Sequence, residues 1–386
     1  MHLNRLGSVS KLVSSAVLVA LALAVPTSAS ASKGLVVGLF DDAATLTPTR
    51  DVFPTLETLN VQVLRMTLTW GGRGGVANTR PAHPTDPADP AYDWKAYDEA
   101  IRQAADAGIE PLLTIVGTPA WANGGGPPQR PPSSAANLRR FAYAAARRYS
   151  GTFLDTASGR VLPRVSMWLA WNEPNSPDFL QPQIVRAKGK WRMASAEAYA
   201  RICNAIYDGV HAAGGPARVA CGATAPRGSN DPSGERPSVS PLAFLRAAKR
   251  GGLRTFDAWA HHPYYQRPSE TPKSPPRART AVTLGNIGKL IKQLTKEYGA
   301  KRVWITEYGF QTNPPDRVFG VSYTKQALYL KQAFAIARKN PRIDLMTWFL
   351  LRDEPNSRIG NGWQSGLMSA TGRKKPAFTA FAKLPH

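Results

Sequence analysis

Beyond residue 33, short runs rich in β-branched and apolar residues alternate with longer stretches whose apolar positions recur three and four apart. That alternation marks buried strands with amphipathic helices laid over them. The short runs begin near Gly34, Val61, Pro111, Val165, Arg218, Phe256, Arg302 and Ile343. Helix-period segments lie between them at Trp94 to Ala107, Ala135 to Tyr149, Ser195 to Ala213, Ile287 to Tyr298 and Tyr323 to Arg338, with shorter ones at Val52 to Leu59, at Leu242 to Ala248 and after Pro376. Gly108, Gly151, Gly214 and Gly299 follow four of these segments, where a left-handed residue closes a helix. Eight strand–helix pairs in about 350 residues predict an α/β fold, a single (β/α)8 TIM barrel over residues 33–386 with no second domain.

The long, Gly-, Pro-, Ser- or charge-rich segments are unevenly placed. Gly71 to Asp93, Asn123 to Ser134, Ser176 to Met193, Pro226 to Ser240 and Gln266 to Thr280 each follow a strand and precede a helix. Such loops share the C-terminal face of a barrel, where active sites are built.

Residues 1–31 read differently. Arg5 and Lys11 precede an apolar run from Ala16 to Val25, then Pro26 and small residues through Ala31, the layout of a secretory signal. A run of about ten residues is too short to span a bilayer, so export to a secreted location is expected, with a retained anchor as the alternative. The chain has 49 Lys+Arg against 26 Asp+Glu, and removing Arg5 and Lys11 from its +23 leaves about +21. Charge of that size attracts polyanions, but export argues against a nucleic-acid partner and leaves acidic glycans or an anionic cell surface. The two cysteines, Cys203 and Cys221, exclude a disulfide-stapled miniature fold and a cysteine-rich zinc site; they either pair or sit as separate buried thiols.

Two strand ends carry carboxylates: Trp171-Asn172-Glu173-Pro174-Asn175 on the fourth and Trp304-Ile305-Thr306-Glu307-Tyr308-Gly309 on the seventh. Alternation with Val303 and Ile305 is expected to aim Glu307 into the barrel mouth, whereas Asn172 and Glu173 are neighbours and need a twist or bulge before Pro174 to face inward together. Each glutamate alone could be a structural ion-pair partner. Two carboxylates converging on one mouth, one protonated and one ionised, are the equipment of glycoside hydrolysis.

These motifs resemble those of the retaining glycoside hydrolases of clan A, and the resemblance covers nearly the whole chain after residue 33. Asn172-Glu173-Pro174 matches the acid/base motif after strand four, and Glu307-Tyr308-Gly309 the nucleophile motif after strand seven. His262-Pro263-Tyr264 matches the His-x-Tyr of strand six, Arg65 the arginine of strand two, and Trp348 the strand-eight tryptophan beneath the sugar. Family 5 members often carry a histidine at the end of strand three. Here that place reads Gly117-Thr118-Pro119-Ala120-Trp121, which looks more like the family 39 type.

The residue chemistry fits the same roles. A permanently charged Arg65 suits an ionised Glu307, Tyr264 can donate to that carboxylate, His262 can orient a glutamate or a sugar hydroxyl, and Asn172 can bond the sugar 2-hydroxyl. Ordinary packing or a salt bridge elsewhere is the alternative for Arg65, His262 and Tyr264. Trp70, Trp121, Trp171, Trp191, Trp348 and Trp363 fall at strand ends or in loops where rings could stack on a pyranose, while Trp94, Trp168, Trp259 and Trp304 sit where core is expected. No cofactor is expected, and the adjacent His261 and His262 diverge too far to form a metal pair.

The expected activity is therefore hydrolysis of a polysaccharide or oligosaccharide, against the alternatives of a lectin-like barrel that binds glycans without cleaving them or a basic cell-surface binding protein. Arg186, Lys188, Lys190 and Arg192 in one loop, and Arg267, Lys273, Arg277 and Arg279 in another, further suggest a basic cleft for an anionic glycan, unless the excess charge is simply spread over the surface.

Overall fold

The computed structural model describes residues 34–46, 51–355 and 362–385; the expected signal sequence lies outside them. Eight strands form a closed parallel barrel: β1 (Val36–Phe40), β2 (Val63–Thr69), β3 (Glu110–Val116), β4 (Met167–Ala170), β5 (Arg218–Thr224), β6 (Ala258–His261), β7 (Arg302–Tyr308) and β8 (Ile343–Phe349). Strands consecutive in sequence are neighbours in space, and β1 closes the ring against β8 with Val36 opposite Leu345. The alternating helices are α1 (Phe53–Thr58), α2 (Lys95–Asp106), α3 (Ala135–Arg148), α4 (Ala194–Ala212), α5 (Pro241–Arg250), α6 (Gly288–Tyr298), α7 (Tyr323–Lys339) and α8 (Pro376–Ala382). Every strand and helix expected from periodicity is present, with its ends moved by a few residues.

Two apolar layers follow from strand alternation. One face of each strand packs outward under the helices. The other fills the barrel with Val36, Val63, Leu112, Met167, Leu169, Ala220, Ala258, Ala260, Trp304 and Leu345, so all eight strands contribute. Two residues further along five of these strands the inward positions become polar: Arg65, Thr114, His262, Thr306 and Thr347, each fully buried. The barrel is thus a greasy plug capped by a polar layer. That layer is the floor of the C-terminal mouth.

The loop expected over Ser176 to Met193 contains a small hairpin, Val185–Ala187 paired with Lys190–Arg192. Cys203 on α4 and Cys221 on β5 form a disulfide, with Cα atoms 6.1 Å apart. No helix among the described residues is long and apolar enough to cross a membrane.

Helices α2 and α3 are joined by a buried ion pair. Arg148 Nε donates to Asp98 Oδ1 at 2.8 Å, and the Tyr149 hydroxyl donates to the same oxygen at 3.0 Å. Burial, aided by the Asp98 charge, drives the Tyr149 hydroxyl well above the usual phenol range and keeps it a donor. Arg148→Met leaves Asp98 buried without its cation, and the expected cost in urea unfolding is roughly 3–5 kcal/mol. Adding Asp98→Asn should recover part of that loss, whereas additive losses would show that the pair is not coupled.

Candidate active site

Arg65 occupies the centre of the polar layer. It is fully buried, and its donors reach four acceptors on three strand ends: Nε to Thr114 Oγ1 at 2.9 Å, Nη1 to the Thr306 carbonyl at 2.9 Å and to Glu307 Oε1 at 2.7 Å, and Nη2 to Asn172 Oδ1 at 2.8 Å. The guanidinium also stands 4.1 Å over the Phe40 ring. Because the Asn172 oxygen is taken by an arginine, it is the amide N–H groups that are left for a further partner.

The expected irregularity before Pro174 is present. Strand β4 ends at Ala170, Trp171 takes φ 66° and Glu173 φ 35°, left-handed values that non-glycine residues seldom adopt. This reversal buries the Trp171 ring, with its indole N–H on the Phe179 carbonyl at 2.8 Å, and lets Asn172 and Glu173 both reach the mouth. The Glu173 backbone N–H is held by the Ala223 carbonyl at 2.9 Å.

Glu307 reaches the mouth by a different route from the one expected. Val303 and Ile305 belong to the outer layer and Trp304 to the barrel interior, so regular alternation would send Glu307 outward. The β7–β8 register shifts between Ile305 and Tyr308, and this bulge turns Glu307 inward. There Tyr264 donates to Oε2 at 3.1 Å, opposite the Arg65 bond to Oε1. Burial, followed by the charge of Glu307, pushes the Tyr264 hydroxyl well above its ordinary range, so it remains a donor.

His262 bridges the two carboxylates. Its Nδ1 lies 2.9 Å from Glu173 Oε1 and 3.6 Å from Glu307 Oε2, while Nε2 meets Thr306 Oγ1 at 3.0 Å. Donation from Nδ1 to Glu173, with Nε2 accepting from the threonine hydroxyl, fits the two close contacts. His261 points away, to Thr224 Oγ1 and the Val282 carbonyl, and burial holds its pKa down to about 3, so it stays neutral. One oxygen of Glu173, one of Glu307 and a nitrogen of His262 lie within 4.8 Å of one another. Among the described residues they are the one group with converging metal donors. The fixed guanidinium 2.7 Å from Glu307 opposes a second cation there, and the site suits proton transfer better than metal binding.

These residues open into a cavity of about 1170 Å3. Of the tryptophans expected at its wall, Trp363 is 43% exposed and lines it, packed 5.7 Å from Tyr264 and 5.6 Å from Phe349. Trp348, matched to the tryptophan beneath the sugar, is fully buried, bonded to the Ser365 carbonyl at 2.8 Å, and is not in the lining. Its place on β8 turns the ring away from the mouth, and the loop after β8 brings Trp363 in instead. Trp70 and Trp171 are likewise buried.

The cleft charge also differs from expectation. The counted cations of the 176–193 and 266–280 loops are absent from the lining, which holds the carboxylates Asp41, Asp42, Glu173, Asp178, Glu307 and Glu354 against Arg65, Arg227 and Arg236. Arg65 is engaged by Glu307 and Arg236 by Asp178. Asp42 escaped the sequence reading, although its place just past β1 was the available signal. It accepts from the Thr67 N–H at 2.9 Å, and burial lifts its pKa to about 6 despite that bond and the nearby Arg65.

Residues 244–381 match the family model described as a glycosyl hydrolase catalytic core. No curated protein matches the chain in sequence. A family 39 glycoside hydrolase from Bacteroides cellulosilyticus is similar in structure at 18% identity with a TM-score of 0.60, over 90% of this chain and 63% of that one. A glucosidase from Croceicoccus marinus aligns over 92% of this chain and 67% of its own at 15% identity and a TM-score of 0.64. For a monomeric β-xylosidase from Caulobacter crescentus the values are 18% identity, TM-score 0.57, and 91% and 68% coverage. The chain spans less than two thirds of the first of these, and identities this low speak to the barrel alone. The family-model match spans the part of the barrel that carries His262, Tyr264 and Glu307.

The Asp42 environment makes a pH prediction. Its folded pKa lies above the unfolded value, so the native state binds the extra proton and stability contributed by this group declines as pH rises from about 4 to about 6. Asp42→Asn should flatten that part of the stability–pH curve and stabilise the protein at pH 7. An unchanged curve would show that Asp42 titrates alike in both states.

Proposed function

We propose that the protein is a secreted retaining glycoside hydrolase that cleaves a polysaccharide or oligosaccharide by double displacement, with Glu307 as nucleophile and Glu173 as acid/base. The observation that carries this reading is the unequal solvation of two close carboxylates. Glu307 receives Arg65 and Tyr264 on opposite oxygens, whereas Glu173 has the single His262 contact and is open to the cavity. Oxygens within 4.8 Å of each other suit direct attack on the anomeric carbon, because an inverting pair stands about 6.5–9.5 Å apart to admit a water.

In the first step a Glu307 oxygen bonds to the anomeric carbon as the glycosidic bond breaks, and Glu173 gives its proton to the departing oxygen. Arg65 and Tyr264 hold Glu307 in line, and the Asn172 amide can donate to the 2-hydroxyl as positive charge develops on the ring. In the second step Glu173 takes a proton from water, whose oxygen displaces Glu307. His262 faces both glutamates and keeps Glu173 in register through these reversals. The surplus of carboxylates in the lining supports a hydroxyl-rich substrate in this cleft, and the export signal supports action outside the cell.

Screening plant, bacterial and host polysaccharides tests the activity, and NMR of the first-formed anomer tests retention. Glu307→Ala should abolish turnover. Glu173→Ala should slow natural substrates by about 10²–10⁴-fold yet spare glycosylation by aryl glycosides with good leaving groups, which need no proton. Parent rates in both variants would place the chemistry elsewhere.

A further inference from the structure

A second cavity opens among the βα loops, apart from the one that holds the glutamates. It measures about 670 Å3 and is lined by residues of the long loop after β2, the segment after β3 and the first turns of α3. None of its lining residues lines the catalytic cavity. Two arginines, Arg80 and Arg140, enter it from separate elements, and neither has a carboxylate partner among the described residues.

The cavity also presents an indole in a fixed pose. The Trp121 N–H donates to the Ala77 carbonyl at 2.7 Å, and the ring stands edge-on to the buried Trp70 at 5.8 Å. Its remaining surface is half-buried toward the cavity, with the Arg80 guanidinium 5.8 Å over the ring. Asn137 and Thr85 add side-chain amide and hydroxyl groups to the wall.

We propose that this cavity is a binding site for an acidic sugar residue, separate from the catalytic cleft. The indole supplies the flat apolar surface that a pyranose ring packs against, and Asn137 and Thr85 match its hydroxyls. The two free guanidiniums match a carboxylate, which arginine recognises through paired N–H donors. A uronic acid combines the ring and the charge in one residue. A free phosphate satisfies the arginines but leaves Trp121 unused, and a neutral sugar leaves the arginines unused. The site is independent of the reaction proposed above.

Calorimetric titration of the full chain with trigalacturonate, and with the same trimer as its methyl ester, tests the proposal. The acid should bind and the ester should bind at least about tenfold more weakly. Arg80→Ala/Arg140→Ala should lower affinity for the acid about tenfold or more, while Arg139→Ala/Arg147→Ala, an equal loss of charge on α3 outside the cavity, should change it by less than about twofold. Circular dichroism of each variant checks that the barrel is retained. Absence of binding to the acid, equal binding of the ester, or equal losses in the two double variants would each overturn the assignment.

Discussion

The site depends on one buried cation. Arg65 cannot lose its charge, and a lone guanidinium inside a barrel would be prohibitively placed, so the surrounding chain must supply acceptors. It does so with a side-chain hydroxyl from β3, a carbonyl and a carboxylate from β7, and the amide oxygen of Asn172 after β4. Satisfying one side chain therefore fixes the relative positions of three strand ends. It also fixes which atom of Asn172 remains for a ligand and which Glu307 oxygen is held. The same residue that stabilises the polar layer holds the Glu307 carboxylate and the Asn172 amide above it.

Regular strands could not bring these groups together. Glu173 arrives because Trp171 and Glu173 itself adopt left-handed backbone, and Glu307 arrives because β7 and β8 slip register before Tyr308. Both departures occur at C-terminal strand ends, directly above the layer where the barrel interior changes from apolar to polar. Local strain concentrated at such positions is a usual companion of function, since packing elsewhere can hold it. Here the apolar plug beneath provides that support.

Charge is distributed with equal consequence. A protein with a large excess of cations has a main cavity whose charged lining is mostly carboxylate, with two of its three arginines there already engaged. Net charge describes the long-range field that gathers anions, whereas a cavity a few ångströms across responds to its own walls. The overall charge of the chain is accordingly no guide to the charge of this cavity.

Much of this was written in the chain itself. Strand and helix periods arise from local geometry, so the eight βα pairs and their closure into a barrel were legible, as were Arg65, His262 and both glutamates at strand ends. Asn172 and Glu173 even announced their need for a bulge, since adjacent residues cannot share a face. The direction of Glu307 was reached by the wrong parity, because a bulge depends on how two neighbouring strands slide past each other and leaves no mark in alternation. The pairing of Cys203 with Cys221 and the burial of Trp348 behind Trp363 were equally matters of distance across the fold. Loop cations counted along the chain ended outside the cleft, and Asp42, one residue among many acids, ended inside it. Sequence determined which residues stand at the mouth of the barrel; only packing between elements distant in sequence decided which of them face the same space.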